Sequence, residues 1–281
     1  MEAGPGGDMG EYGVASRFAG RLLPPAMTIN ADGSSPFVLV CDHASNRIPE
    51  DYGDLGLSLV DRLRHIAWDP GALAVSLALT ELLDAPLVHS TVSRLVIDCN
   101  RFTDSDSLMP SLSEYTEIPG NKVISTADKG NRLAQYWVPF HEAIDDLLAR
   151  RRDNGLPTIL VCVHSFTPIF KEFARPWPIG ILPALEPTYS RAVFDALQAA
   201  DPEMNVGWNE PYAGAAGYSY TVEHHGQGLD AVMIEIRHDE ILEPKGVARW
   251  ASLLARCLES AREGRAAPPA RVTTETGATS Q

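Results

Sequence analysis

Three short apolar runs in this chain each lead directly into polar side chains that suit a hydrolase pocket. The runs and their followers are residues 36–40 before Asp42 and His43, residues 158–163 before His164, and residues 231–234 before Glu235. Each run is short and rich in branched residues, which predicts a buried strand. Active sites of α/β proteins form where such strands end, so the three runs predict one shared pocket.

Each of these side chains also has a purely structural interpretation. The two histidines could be buried and bound to backbone groups, and Glu235 could pair with Arg237. Placing several polar groups at the mouths of apolar strands costs stability unless they share a task. Taken together, the three segments therefore favour a common site.

The order of elements along the chain predicts the fold class. Apolar residues at helical spacing predict helices over 72–83, 130–152, 189–199 and 246–262, the second with a kink at Pro139, and further strands are predicted over 86–88 and 94–98. Alternating strands and helices are typical of a mostly parallel sheet covered on both faces. We therefore expect a three-layer α/β/α sandwich with a mostly parallel mixed sheet, of the phosphorylase/hydrolase-like type.

The 281 residues, 44% of them hydrophobic, suffice for one large core. We predict a disordered leader over 1–30, a single catalytic domain over 31–263 and a disordered tail over 264–281, because both ends lack hydrophobic periodicity. The start of the chain lacks the basic and apolar regions of a signal peptide, which predicts a cytoplasmic protein.

Charge and cysteine content exclude several classes of function. The net charge of −14 argues against binding to nucleic acid or to an anionic membrane, and no apolar stretch is long enough to span a bilayer. The four cysteines lie far apart in the sequence and form no CxxC pair, so we expect buried thiols rather than disulfides or a structural zinc site.

Several residues in and near the predicted pocket have a chemistry of their own. His43 on a rigid strand end is a good zinc ligand, and Asp42 or a backbone carbonyl could fix its tautomer. Asp69 lies just before the predicted helix at residue 72, where an aspartate commonly caps the helix. Glu235 is a candidate for moving a proton between water and a leaving amine.

Basic residues near the pocket suggest an acidic ligand. Arg94 and Arg101 are candidate clamps for a carboxylate, although Arg94 could instead form an ion pair with Asp98. His224 and His225 are adjacent in the sequence. If the chain there is extended, their side chains point in opposite directions, so only one of them could bind a metal together with the other ligands. No Gly-x-Ser-x-Gly motif occurs, which argues against a serine hydrolase.

Five segments together carry a family resemblance: VLVCDHASNRIPEDYGDLGL, HIAWDPGA, SRLVIDCNRF, VHSFTP and MIEIRHDEI. In this order and spacing, from about residue 36 to 242, they resemble the N-formylglutamate amidohydrolase family, which is related to the zinc carboxypeptidase and aspartoacylase group. The resemblance implies an α/β/α sandwich and a metal-activated water that attacks an amide. The expected partner is a small acidic N-acyl amino acid, and the type reaction converts N-formyl-L-glutamate and water to formate and L-glutamate.

The resemblance also implies roles for individual residues. Zn²⁺ or another divalent metal would be held by His43, Asp69 and His164, Glu235 would be the general base, and the substrate would be bound by Arg94, Asn100, Arg101 and Arg237. Asn46 stands where the wider group has a glutamate ligand, and an amide oxygen is a poor ligand for zinc, so the second ligand is assigned to Asp69. A deacylase or carboxypeptidase-like enzyme for another acylated substrate, and a non-catalytic metal-binding or ligand-binding relative, are the alternatives.

Overall fold

The computed structural model describes residues 23–212 and 217–266. Its strands are β1 Ala26–Ile29, β2 Phe37–Cys41, β3 Leu87–Ser90, β4 Leu112–Ser113, β5 Thr116–Glu117, β6 Ile159–Phe166, β7 Ile169–Phe170, β8 Phe173–Ala174, β9 Ile179–Pro183, β10 Val206–Trp208 and β11 Asp230–Arg237. Seven of them form the central sheet in the order β1-β3-β2-β6-β11-β9-β10, while β4 pairs with β5 and β7 pairs with β8 in two small hairpins.

The centre of the sheet consists of parallel strands. β3, β2, β6 and β11 run in one direction, whereas β1 and β9 are antiparallel to their neighbours β3 and β11. Every residue of β2 and β6 is buried. This is the expected burial for parallel strands with both faces covered, and it explains why their sequences are continuous apolar runs. The predicted mostly parallel mixed sheet is confirmed.

The α-helices are α1 Leu59–Leu63, α2 Ala72–Leu83, α3 Thr126–Arg132, α4 Val138–Asp153, α5 Thr188–Ala200, α6 Tyr220–His225 and α7 Pro244–Ala266. One face of the sheet packs against α2, α5 and α7, and the other packs against α4 and α6. The layers therefore follow the order helix, sheet, helix. None of the described helices has the length and apolar character needed to cross a membrane.

Successive side chains of the central strands alternate between two hydrophobic cores, one on each face of the sheet. Leu39 and Val161 point into the core shared with α2, α5 and α7, whereas their neighbours Val40 and Leu160 join Phe140 of α4 on the opposite face. Successive side chains of a strand point to opposite faces, so one apolar run serves two layers. Each such fully buried side chain contributes about 1.5–3 kcal/mol to the free energy of unfolding.

The predicted strand over 94–98 is wrong, because the chain forms turns there. The Ser93 hydroxyl accepts a hydrogen bond from Leu95 N, and the Ser93 carbonyl accepts one from Val96 N. Such local bonds compete with pairing in a sheet. The apolar side chains of this segment are instead buried against Leu55 and Ile118 in a third core beside the sheet.

The boundaries at both ends also differ from the prediction. Residues 26–29 belong to the sheet as β1, so the predicted leader of residues 1–30 includes an ordered strand. Residues 1–22 and 267–281 lie outside the described part of the chain. At the other end α7 continues to Ala266, past the predicted boundary at 264.

The helix predicted over 130–152 is built from three pieces. Ser125 caps α3 by accepting a hydrogen bond from Asp128 N, and a π-helical turn over Leu133–Trp137 then joins α3 to α4. Pro139 lies in the first turn of α4. Because proline lacks a backbone N–H, the change of helical pattern falls immediately before it.

A carboxylate on the surface ties two loops together and provides a test of pH-dependent stability. Asp84 accepts hydrogen bonds from Asn30 Nδ2 (2.9 Å), Ser34 N (2.9 Å) and Ser34 Oγ (2.7 Å). These bonds, that from Ser34 N first, lower the pKa of Asp84 from 3.8 to about 2. A lowered pKa contributes stability that is present above the unfolded value and is lost as the pH falls through the folded value.

We therefore expect Asp84→Asn to reduce the free energy of unfolding, by an amount that is constant at neutral pH and shrinks as the pH is lowered from about 5 to about 2. Asparagine suits the comparison because residue 84 has φ +52°, a conformation that asparagine tolerates. Urea unfolding of both proteins across this pH range measures the difference. A difference that stays constant with pH would contradict the assigned role of the charge.

Candidate active site

The ends of β2, β6 and β11 meet at one edge of the sheet and open into a cavity. β11 pairs in parallel with β6 so that Glu235 lies opposite His164, and β2 pairs with β6 on its other side. The predicted site residues that line the cavity are His43, Asp69, Arg94, Asn100, Arg101, His164 and Glu235. The strands thus bring together residues that are up to 192 positions apart in the sequence, from His43 to Glu235.

Asp69 lies between the two histidines. Its Oδ2 is 3.3 Å from His43 Nδ1 and 3.0 Å from His164 Nδ1, and it also accepts a hydrogen bond from Ser165 N. The N-cap position of α2 is Gly71, and no side chain caps that helix. Asp69 therefore faces the cavity, and the alternative role as a helix cap is wrong.

The second nitrogen of each histidine also faces a carboxylate. His43 Nε2 lies 2.7 Å from Asp98 Oδ1, and His164 Nε2 lies 3.1 Å from Asp42 Oδ2, the latter without hydrogen-bond alignment. Asp42 also accepts a hydrogen bond from the Thr221 hydroxyl. Asp42 thus serves His164, although its position next to His43 suggested that it would orient that ring.

The carboxylates determine the charge of this cluster. Burial and Arg94 lower the pKa of His43, but Asp98 and Asp69 outweigh them and raise it. Burial likewise lowers the pKa of His164, but the adjacent carboxylates of Asp42 and Asp69 raise it well above its ordinary value. The carboxylates around the two rings therefore favour the protonated form of both histidines.

The donor atoms of the cluster are those that a divalent transition metal prefers. One ligand atom each from His43, Asp69 and His164 lies within 4.8 Å of the others, and all three residues are buried. Asp98 at His43 Nε2 and Asp42 near His164 Nε2 favour a proton on those nitrogens, so that the Nδ1 lone pairs can bind a metal. Carboxylates in this position commonly support histidine ligands. A metal ion would take the place of the two Nδ1 protons, so the residues present fit such an ion.

Asn46 does not belong to this cluster. Its side-chain amide donates a hydrogen bond to the Arg62 carbonyl at 3.1 Å, and it is not among the residues that line the cavity. Of the two residues considered for the second ligand, the geometry therefore favours Asp69.

Glu235 is the carboxyl group beside the cluster. It is buried, and its Oε2 has no hydrogen-bond partner among the described residues. Burial is the main reason that its pKa is raised from 4.5 to about 7. A carboxyl group with a pKa near 7 exchanges a proton readily at neutral pH, which is the property required of a general base.

The two predicted arginine clamps are engaged differently. Arg94 binds Asp98 Oδ2 through Nε (3.1 Å) and Nη2 (2.7 Å), and its Nη1 lies 3.5 Å from Asp69 Oδ1. The ion pair considered for Arg94 is thus present. Arg101 donates through Nη1 to the carbonyls of Asn100 and Tyr218 and through Nε to Ser107 Oγ.

Asn100 and Arg101 retain donors for a ligand. The Oδ1 of Asn100 accepts hydrogen bonds from Ser219 Oγ and Thr221 N, which orients its amide NH₂. Within the described part of the chain, no hydrogen bond involves Nη2 of Arg101, whose guanidinium lies 4.2 Å from the centre of the Tyr218 ring.

Arg237, predicted to bind substrate, is not among the residues that line the cavity. The strand ends there in a 3₁₀ turn over His238–Glu240, and two acids of this turn hold the guanidinium: Asp239 at 2.8 Å and Glu240 at 3.3 Å. His224 and His225 lie on the helix α6 rather than on an extended segment, and neither lines the cavity.

The remaining walls were not predicted in detail. One comes from the segment around β4 and contributes Leu112 and Glu114. Another contains Phe170 of the β7–β8 hairpin together with Tyr212. These side chains follow no periodic pattern, so only their proximity in three dimensions identifies them.

An α/β sheet that collects ionisable side chains in a cavity at the carboxyl ends of its strands has the architecture of an enzyme. A family model described as N-formylglutamate amidohydrolase matches residues 35–242, and the chain belongs to this family of amidohydrolases. The predicted family is thereby confirmed. A comparison with curated proteins gives no significant match.

Two solved structures resemble the chain over most of its length. The gene product Atu2144 from Agrobacterium tumefaciens has 36% sequence identity and a TM-score of 0.83, covering 87% of this chain and 97% of its own. The N-formylglutamate amidohydrolase from Ralstonia eutropha JMP134 has 19% identity and a TM-score of 0.63, covering 87% and 99%. The second likeness concerns the fold alone.

Proposed function

We propose that this protein is a metal-dependent hydrolase of N-acyl amino acids, with N-formyl-L-glutamate as its substrate and formate and L-glutamate as its products. The observation that carries the proposal is the convergence of His43 Nδ1 and His164 Nδ1 on Asp69 Oδ2, beside Glu235, whose Oε2 has no hydrogen-bond partner in the described part of the chain. Imidazole and carboxylate donors suit zinc, and the family to which the chain belongs acts on an amide. The buried free cysteines agree with a cytoplasmic location.

The proposed mechanism divides the work between two groups of residues. His43, Asp69 and His164 hold the divalent ion, which when bound lowers the pKa of water to about 7 and polarises a carbonyl. Glu235 accepts a proton from the attacking water and returns it to the leaving amine. Asp98 and Asp42 orient the two histidines from behind.

The substrate carboxylates are assigned to the basic side of the cavity. Arg101 Nη2 and the amide NH₂ of Asn100 donate to them, and Tyr218 holds the guanidinium in place. Arg94 contributes positive charge but keeps its hydrogen bonds to Asp98. The net charge of −14 gives no long-range attraction for a dianion, so capture depends on these local groups.

The test is to measure metal content and formate release together. We expect the purified protein to contain a divalent metal, to release formate from N-formyl-L-glutamate, and to lose that activity on chelation and regain it with Zn²⁺. Metal without formate release would reject this substrate, and a panel of other N-acyl amino acids would then separate a different deacylase from a non-catalytic protein. Activity that survives complete metal removal would reject the mechanism.

Arg101→Lys tests the assignment of the substrate carboxylate. Lysine keeps the charge but loses the fork of donors, so we expect KM to rise about 10- to 100-fold with a smaller change in kcat, on the scale of a lost charged hydrogen bond. Initial-rate kinetics on N-formyl-L-glutamate measure both constants. Arg191→Lys on the exposed face of α5 is the matched control and should leave both unchanged. An unaltered KM in Arg101→Lys would remove Arg101 from substrate binding.

A further inference from the structure

A second cluster of metal-binding side chains lies on the helical layer formed by α4 and α6, outside the cavity. It consists of Asp145 on α4 and of His224 and His225 on α6, whose ligand atoms lie within 4.8 Å of one another. His225 is buried, whereas Asp145 and His224 are exposed. None of the three lines the active-site cavity.

A chain of hydrogen bonds determines which nitrogen of His225 carries the proton. His141 Nε2 lies 2.9 Å from the Cys99 carbonyl oxygen, which can only accept, so His141 carries its proton on Nε2. The Nδ1 of the neutral His141 ring must then accept from His225 Nε2, at 2.9 Å. In its neutral form His225 therefore presents the lone pair of Nδ1 on its other side.

That lone pair faces a carboxylate. His225 Nδ1 lies 3.0 Å from Asp145 Oδ1, and a lone pair and a carboxylate oxygen repel each other at this distance. A cation bound by both atoms turns the repulsion into two favourable contacts. His224 supplies a third donor beside them, with its ring stacked on Tyr220 at 4.7 Å.

We propose that Asp145, His224 and His225 form a second divalent metal site, of the imidazole and carboxylate type that takes Zn²⁺ or a similar transition metal. The ion would link α6 to α4. α6 also carries Thr221, whose hydroxyl donates to Asp42 and whose backbone N donates to Asn100. The site would thus hold in place the helix that orients Asp42 beside His164 and Asn100 in the cavity wall, and it takes no part in the proposed reaction.

The experiment is a zinc titration of full-length protein that has been stripped of metal, followed by elemental analysis after gel filtration. We expect wild type to bind two ions per chain, whereas His224→Ala and Asp145→Asn each weaken one of them at least about 10-fold. Both substituted residues are exposed, so these variants should fold, and circular dichroism checks that they do. Asp146→Asn, exposed on the same helix, is the matched control and should retain both ions.

The outcomes separate this site from the one in the cavity. A single ion that is lost in His224→Ala and Asp145→Asn would support the second site and reject the metal in the cavity. A single ion that both variants keep would overturn the second site and leave an ordinary ion pair between Asp145 and protonated His225. Two ions that both variants keep would overturn it as well. Zinc should also raise the unfolding temperature of wild type more than that of His224→Ala.

Discussion

Replacing Glu235 by glutamine should lower kcat for formate release about 100- to 10,000-fold, the usual contribution of a general base. Glutamine has nearly the same shape but cannot accept a proton, and Glu235 is not one of the three proposed ligands. Metal content and KM should therefore stay close to those of wild type. Stopped-assay kinetics together with elemental analysis of the same preparation measure all three quantities.

Asp239→Asn is the control for the Glu235 variant, because Asp239 follows the same strand on the turn beyond the cavity. It should retain wild-type kcat. If Glu235→Gln turned over substrate at the wild-type rate, Glu235 would not be the base. Loss of metal from this variant would instead place Glu235 among the ligands.

Asp69→Asn should cost both metal and activity. The substitution removes the negative charge that both Nδ1 atoms face and leaves an amide oxygen, which is a poor ligand for zinc. Loss of a residue that hydrogen-bonds a metal ligand typically lowers metal affinity about 10- to 100-fold. We expect a larger loss for Asp69→Asn, with activity falling in step with metal occupancy. Competition with a chromogenic chelator measures the affinity, and assays with added Zn²⁺ measure how much activity returns.

Asp98→Asn provides the graded comparison for Asp69. Asp98 contacts the far nitrogen of His43, so its loss should weaken metal binding only about 10- to 100-fold. The order of affinities should be wild type, then Asp98→Asn, then Asp69→Asn. An Asp69→Asn protein with full metal affinity would refute the assignment of Asp69 as a ligand. Equal losses of affinity in both variants would refute the distinction between Asp69 as a ligand and Asp98 as a residue that only supports His43.

The strands that carry the site could be predicted from the sequence more reliably than the contacts between its side chains. The runs before His43, His164 and Glu235 could be identified because buried parallel strands are continuous apolar segments, and parallel strands must end at one edge. The apolar run at 94–98 was wrongly predicted to be a strand, because apolar content alone does not distinguish a strand from a buried loop. Here the hydrogen bonds that Ser93 accepts from Leu95 N and Val96 N favour the buried loop.

Residues that act through distant contacts could not be assigned from local pattern. Asp98 was recognised only as a possible partner of Arg94, because nothing in the sequence places it at His43. Asp42 was matched to its neighbour His43, whereas the strand geometry turns it to His164. Arg237 was predicted to bind substrate from the family resemblance, but nearby acids on the following turn hold it.

The two small hairpins that wall the cavity have a consequence for how such proteins diversify. Neither the β4–β5 nor the β7–β8 hairpin takes part in the central sheet, which positions the histidines and Glu235. Changes in surface loops cost little folding free energy, because closure entropy grows only slowly with loop length. Relatives could therefore exchange these hairpins and select different acyl or side-chain groups while inheriting an unaltered reaction centre. Grafting either hairpin between relatives is thus a route to new substrates that leaves the sheet intact.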